Sequence, residues 1–117
     1  MKKILFLMMF IVSSTSFAQE AARCYGVAFA HPSNGGLGLV RIHAQELCVG
    51  AENAREVIGC YVTAFAHRNN GGLGLPRGFA IELCARTKSA RNTMLCWNKM
   101  ASTGAIVGHA IEMCKAR

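Results

Sequence analysis

The chain has 117 residues, of which 52% are hydrophobic, and its 13 lysines and arginines against 6 acidic residues give a net charge of +7 at neutral pH. This length provides one small domain and excludes a second. The basic residues beyond the N-terminal segment are spaced singly, a pattern typical of a solvated surface rather than of a nucleic-acid-binding stripe. We therefore expect no nucleic-acid partner.

The first 18 residues have the features of a secretory signal peptide. Lys2 and Lys3 precede the uncharged run ILFLMMFIV, and the small residues of SSTSFA follow it. The run is shorter than the roughly 20 residues that a membrane-spanning helix needs. We expect cleavage near Ala18, a single mature domain over residues 19–117 without a transmembrane segment, and a periplasmic or secreted location.

All six cysteines lie after this leader, and an even number in an exported chain predicts disulfide bonds rather than a zinc site or a catalytic thiol. The remaining sequence repeats with a period of 36 residues, which places the three copies at 24–59, 60–95 and 96–117. CYGVAFAH and CYVTAFAH correspond, as do GGLGLVR and GGLGLPR. The third copy lacks six residues at the place of HRNNGG.

Each copy reads as a helix, a glycine-rich loop and a second helix. Asn53 and Ser89 are predicted N-caps of first helices. The second helices carry residues at i, i+3, i+4, i+7 and i+8 that predict one packed face. These residues are Val40, His43, Ala44, Leu47 and Cys48, with their counterparts Pro76, Phe79, Ala80, Leu83 and Cys84, and Ile106, His109, Ala110, Met113 and Cys114. The predicted fold is all-α, with three disulfide-linked antiparallel helical hairpins stacked as a short solenoid or a compact bundle.

A disulfide can join two antiparallel helices only where its cysteines lie at similar heights, so the midpoint of the pair falls in the connecting loop. This argument favours pairing within each copy. The pairs are Cys24 with Cys48, Cys60 with Cys84, and Cys96 with Cys114, and their midpoints are Gly36, Gly72 and Ala105. The rival pattern joins Cys48 to Cys60 and Cys84 to Cys96, and it leaves Cys24 and Cys114 at opposite ends of the chain.

The glycine loop and the following helix resemble a Sel1-like repeat, a relative of the tetratricopeptide repeat. The matching residues are Gly36, Gly38 and Leu39, and then Gly72, Gly74, Leu75 and Ala80. Ile42 and Gly78 stand where the family has an acidic residue, and the cysteine phasing differs from that of the secreted members. The resemblance implies a helical repeat plan and a role in protein contacts, and it implies no active site.

Glycine-rich loops also hold phosphates, but those motifs follow a strand and carry a lysine or a distal acid, which this chain lacks. We therefore interpret Gly35, Gly36, Gly71 and Gly72 as turn residues, with an anion site as the alternative. His31 and His67 recur at the end of the first helix, where a histidine meets the negative end of the helix dipole. The alternative is a shared metal between the two copies.

Three further groups of residues recur between copies. His43 and His109 share the position of Phe79, which predicts a partly buried space-filling site. Glu46, Glu82 and Glu112 precede the last cysteine of each copy, and we expect ordinary helix ion pairs of Glu82 with Arg86 and of Glu112 with Lys115. Tyr25, Tyr61 and Trp97 follow the first cysteine and are predicted to be core residues that form a column if the copies stack.

No residue is assigned to catalysis, to a cofactor or to a metal. His31, His67, Gly35, Gly36, Gly71 and Gly72 are the candidate interaction residues. The predicted function is a protein-binding module in the bacterial envelope or outside the cell, with an unidentified protein or an anionic envelope component as partner. The alternatives are a small enzyme or enzyme inhibitor, and a basic, membrane-active toxin.

Overall fold

The computed structural model describes residues 16–116, and within this range the chain forms six α-helices and no β-strand. The helices are α1 (Phe17–Phe29), α2 (Arg41–Cys48), α3 (Ala54–Phe65), α4 (Arg77–Cys84), α5 (Ala90–Ser102) and α6 (Val107–Cys114). Short 3-10 turns at Pro32–Asn34 and Arg68–Asn70 lie in the first two glycine-rich segments. The all-α prediction is confirmed, whereas most of the predicted signal peptide, residues 1–15, falls outside the described residues.

Consecutive helices form three hairpins, which we number 1 (α1 and α2), 2 (α3 and α4) and 3 (α5 and α6). Each hairpin is closed by one disulfide, with Cα atoms 5.5 to 5.6 Å apart. The pairs are Cys24 with Cys48, Cys60 with Cys84, and Cys96 with Cys114. The pairing is therefore the one within each copy, and the rival pairing between copies does not occur.

The hairpins pack side by side in chain order, so that α1, α3 and α5 form one layer and α2, α4 and α6 form the other. Alanine and cysteine make up most of the buried hydrophobic residues, and such small side chains allow the helices to pack close together. The largest apolar side chains that are completely buried are Leu47, Leu83, Ile111 and Val57. Burial of these apolar groups and the three disulfides together stabilise a domain that is small for a single core.

The N-termini of the first helices are capped by side chains, as the sequence predicts. Asn53 Oδ1 accepts a hydrogen bond from the Glu56 amide at 3.3 Å, and Ser89 Oγ accepts one from the Asn92 amide at 3.1 Å. Ser16 caps α1 in the same way. These acceptors satisfy amides that have no partner inside the helix. The two predicted N-caps are confirmed.

The connections between hairpins turn through a left-handed residue just after the second helix. Gly50 occupies this position after α2 with φ 73°, and Arg86 occupies it after α4 with φ 66°. Glycine adopts this conformation freely, whereas a residue with a Cβ is strained there. The Arg86 side chain extends over the Gly50 backbone, since a Cβ built on Gly50 would lie 2.7 Å from Arg86 Nε.

Candidate functional site

The glycine-rich segments form the apices of hairpins 1 and 2, and their backbone amides are already used. The seven consecutive amides from Ser33 to Leu39 all donate hydrogen bonds within the protein, as do those from Asn69 to Leu75. An anion site in a glycine-rich loop depends on amides that point at the ligand. Neither stretch offers such an amide, so the geometry of the two apices does not support the alternative of an anion site.

The glycines of the apices have conformational and steric roles. Gly35 and Gly71 adopt the left-handed region at φ 81° and 82°, which ends each 3-10 turn. Gly36 and Gly72 lie so close to the backbone of Ala30 and Ala66 that a Cβ at either glycine would overlap a carbonyl oxygen. The structure therefore gives these four glycines the turn function that the sequence indicates.

His31 and His67 cap the 3-10 turns rather than the ends of the helices before them. α1 ends at Phe29 and α3 at Phe65, and each histidine follows two residues later as an N-cap. The Nδ1 atoms accept hydrogen bonds from the amides of residues 33 and 69 at 3.1 and 3.0 Å. The expected contact with a helix dipole is wrong, because the ring faces the start of the next turn.

Within the described range, no group of three or more histidine, cysteine, aspartate or glutamate side chains lies close enough to hold a metal ion.

The histidines of the second helices differ in their environments. His43 is half-buried, and its Nδ1 atom is buried with no protein hydrogen-bond partner. His109 and Phe79 are exposed, so the prediction of a partly buried site is correct for His43 and wrong for His109.

Two of the three recurring glutamates, Glu82 and Glu112, form surface ion pairs with Lys115. Lys115 Nζ lies 2.7 Å from Glu112 and 3.9 Å from Glu82. The hydrogen bond to Glu112 raises the pKa of Lys115. The expected pairing of Glu82 with Arg86 is wrong, because α4 ends at Cys84 and the left-handed turn at Arg86 takes its side chain away. Glu46 is exposed on α2.

The aromatic residues after the first cysteines pack in the core, as predicted, although their stacking differs. Tyr61 and Trp97 are buried, and Tyr25 is half-buried. Tyr25 stacks on Phe29 with ring centroids 5.7 Å apart, and Tyr61 stacks in the same way on Phe65 at 5.5 Å. The stacking is thus between successive turns of one helix, and not along a column through the three hairpins.

The shorter apex of hairpin 3 keeps the backbone hydrogen bond that closes the longer apices of hairpins 1 and 2. The Ala105 amide donates to the Met100 carbonyl at 3.2 Å. The Leu75 amide makes the corresponding bond to Ala64 at 3.0 Å. Gly104 has φ 80°, a left-handed conformation like that of Gly74. The missing six residues therefore remove the 3-10 turn without removing the reversal of the chain.

An apolar surface with two clefts lies along α3, on the side that faces hairpin 1, and we name it the α3 seam. It contains residues at i, i+3, i+4, i+7 and i+11 of one helix face: Arg55, Ile58, Gly59, Val62 and Ala66. Two clefts lie along it, with volumes of about 350 and 340 Å³. The first cleft is also lined by Arg23, Val27 and Ala54. The second cleft is also lined by Pro32, Gly36, Leu37, Leu39, Tyr61, Phe65 and Arg77.

Arginines flank this apolar surface. Arg77 Cζ lies 5.4 Å from the centroid of the Phe65 ring, in a cation–π contact at the apical cleft. Arg23 Nη1 pairs with Glu20 at 2.8 Å. Within residues 16–116, neither Arg55 nor Arg77 lies within ion-pair distance of a carboxylate. The α3 seam therefore combines apolar clefts with two guanidinium groups that have no acidic partner.

The α3 seam was not predicted from the sequence, because the expected helix faces were the buried ones. A second stripe was readable in α3, where Ile58, Val62 and Ala66 follow helical spacing beside the buried face of Val57 and Tyr61. The glycine candidates and His31 and His67 lie at the apices, and of these Gly36 alone lines a cleft of the seam.

Comparison with known proteins found no match for this chain among protein-family models, curated proteins or solved structures. The class that the geometry defines is a small helical protein built of disulfide-closed hairpins. None of the helices in the described range combines the length and hydropathy needed to cross a bilayer.

Proposed function

We propose that this chain is an exported, disulfide-linked interaction module that binds a protein partner through the α3 seam. One observation carries the proposal: apolar side chains of the seam stay open to solvent although the core is close by. Val62 is 48% exposed and Phe65 is 41% exposed. Clustered exposed apolar side chains in a small protein mark a contact surface more often than scattered ones do.

The three disulfides support the exported location, because disulfides persist in oxidising compartments such as the periplasm and the exterior. They also support a binding role, since a surface held by disulfides keeps its shape with little loss of entropy on binding. The resemblance to Sel1-like repeats implies protein contacts and agrees with this proposal.

Site-specific cross-linking tests the proposed function. A photo-reactive amino acid replaces Val62 in the oxidised protein, and a matched control carries it at Asn98, the same position in α5. Both proteins are irradiated in envelope and culture-medium fractions of the native source. We expect a defined partner band at position 62 and not at position 98. Equal capture at both positions, or no capture at position 62, would contradict the proposal.

A further inference from the structure

We propose that the α3 seam binds an acidic peptide segment of its protein partner, with apolar side chains in both clefts and a carboxylate on each of Arg55 and Arg77. This inference rests on the proposed function and specifies the chemistry of the partner. It follows from the length of the seam, the shape of its clefts, and the charges at its two ends.

The two clefts lie along one face of one helix, so a single linear segment can occupy both. Arg55 is the second residue of α3 and Phe65 is its last. Ten residues of helix at about 1.5 Å each separate them by roughly 15 Å. Arg77, the first residue of α4, adds its guanidinium beyond the Phe65 ring. A small molecule would fill one cleft, whereas a peptide of three or four turns reaches both arginines.

The clefts are recesses rather than projections. Their volumes of about 350 and 340 Å³ lie at the lower end of the range for ligand pockets. Gly59 lines the first cleft, and a Cβ built there would meet no atom within 4 Å. A lipid surface is bound by apolar side chains that protrude into it. Recessed apolar walls instead receive the protruding side chains of a peptide.

The ends of the seam select the charge of the occupant. Arg55 and Arg77 have no carboxylate within ion-pair distance in the described part of the chain. A guanidinium binds a carboxylate through two parallel hydrogen bonds, which gives orientation as well as attraction. An acidic residue at each end of an apolar segment therefore complements the two guanidinium groups. Glu20, Glu52 and Glu56 line a neighbouring cleft together with Arg55, and each of these carboxylates already has a hydrogen-bond or ion-pair partner within the protein.

The corresponding surface between hairpins 2 and 3 has different chemistry. Leu95 takes the position of Gly59, Asn98 that of Val62 and Ser102 that of Ala66. Leu95 puts a large side chain, 55% exposed, where the seam has a glycine, and Asn98 and Ser102 put polar side chains where the seam has apolar ones. The seam is thus a property of one junction, and hairpin 3 supplies control positions for it.

Selection from a peptide library tests the inference while the partner protein is still unidentified. A random library of 16-residue peptides on phage is selected on the immobilised, oxidised full chain. We expect the selected peptides to carry Asp or Glu on both sides of Leu, Ile, Phe or Trp. Binding of the best synthetic peptide is then measured by fluorescence anisotropy at low and moderate salt.

Four variants locate the binding site. Gly59→Leu fills the first cleft with the residue that α5 already has there. Arg55→Glu and Arg77→Glu reverse the two end charges at positions in the first turn of a helix, where an acidic residue is favourable to folding. Arg91→Glu is the matched control, because Arg91 is the second residue of α5. We expect at least tenfold weaker binding for the first three variants and unchanged binding for the control.

The possible results separate this inference from the proposed function. Selected peptides without acidic residues, no selected peptide, or equal binding by Arg55→Glu and wild type would overturn the acidic-peptide inference. The cross-link at position 62 would still support the interaction module in each of these cases. Binding of vesicles of one part phosphatidylglycerol to three parts phosphatidylcholine that is lost in Gly59→Leu would assign the seam to membranes, and it would overturn the inference.

Discussion

Glu56 in hairpin 2 accepts a hydrogen bond through Oε1 from the backbone amide of Ala90, the first residue of α5, at 2.7 Å. Glu20 does the same for Ala54, the first residue of α3, at 2.8 Å. A carboxylate at this place satisfies a free amide and lies at the positive end of the helix dipole. Each hairpin thus fixes the start of the next, and Asn92 occupies the equivalent position in the last.

Replacement of Glu56 should weaken the junction between hairpins 2 and 3. We expect Glu56→Ala to lower the free energy of unfolding by about 1.5 kcal/mol, because a charge-assisted bond to a partly buried amide is lost. Glu56→Gln keeps an acceptor without the charge and should lose less. Urea unfolding of the oxidised proteins, followed by circular dichroism, measures both. Glu46→Ala is the control, and an effect of Glu56→Ala no larger than that of Glu46→Ala would argue against this role.

The disulfide pattern has a direct chemical test. Trypsin cleaves after arginine and lysine, and such residues separate all six cysteines from one another. Digestion without reduction should therefore release three linked peptide pairs. We expect mass spectrometry to find peptide 24–41 joined to 42–55, 56–68 joined to 78–86, and 92–99 joined to 100–115. A link between 42–55 and 56–68 would show the pairing between copies and contradict the structure.

Two glycines of hairpin 2 should respond in opposite directions to the same added methyl group. Gly59 lies within α3 with open space around its Cα, and Gly59→Ala should stabilise the protein by about 0.5–1 kcal/mol through helix propensity. In Gly72→Ala the new Cβ overlaps the backbone of Ala66, and we expect a loss of about 2 kcal/mol. Thermal unfolding of the two variants beside wild type measures the difference, and equal midpoints would refute the assigned roles.

The hydroxyl of Tyr61 is a buried polar group that lowers the stability of the core. It is buried, and no protein atom in the described range forms a hydrogen bond with it. A buried polar group without a partner lowers stability, so Tyr61→Phe should raise the free energy of unfolding by about 1 kcal/mol. Tyr25→Phe is the matched control, because Tyr25 holds the same position in hairpin 1 and is only half-buried. A destabilised Tyr61→Phe would indicate that the hydroxyl has a partner in solution.

Local sequence patterns predicted the features that depend on neighbours within one helix or one turn. The helical spacing predicted a packed face of Val40, His43, Ala44, Leu47 and Cys48 on α2. Ala44, Leu47 and Cys48 are buried and His43 is half-buried, whereas Val40 precedes the helix and is exposed. Asn53 and Ser89 are N-caps because their side chains need to reach only three residues ahead. The disulfide pattern followed from the same geometry, since two antiparallel helices bring residues on either side of a loop to one height.

Features that depend on contacts between hairpins were not predictable from one sequence. The hydrogen bond that the Ala54 amide donates to Glu20 spans 34 residues, and only the packing of α1 beside α3 brings the two residues together. The pairing of Lys115 with Glu82 likewise requires α4 and α6 to be neighbours. The α3 seam was missed for the same reason, because a cleft is defined by what the adjacent hairpin leaves uncovered.

The contact between Arg86 and Gly50 depends on the order of the hairpins along the chain. Arg86 covers Gly50, and the two residues hold the same place in successive connections. Exchange of the two would remove the side chain that covers residue 50 and would place a residue with a Cβ at the left-handed φ of Gly50. The hairpins are therefore not interchangeable modules, and a chain with its first two units shuffled should assemble poorly even though every unit keeps its own disulfide.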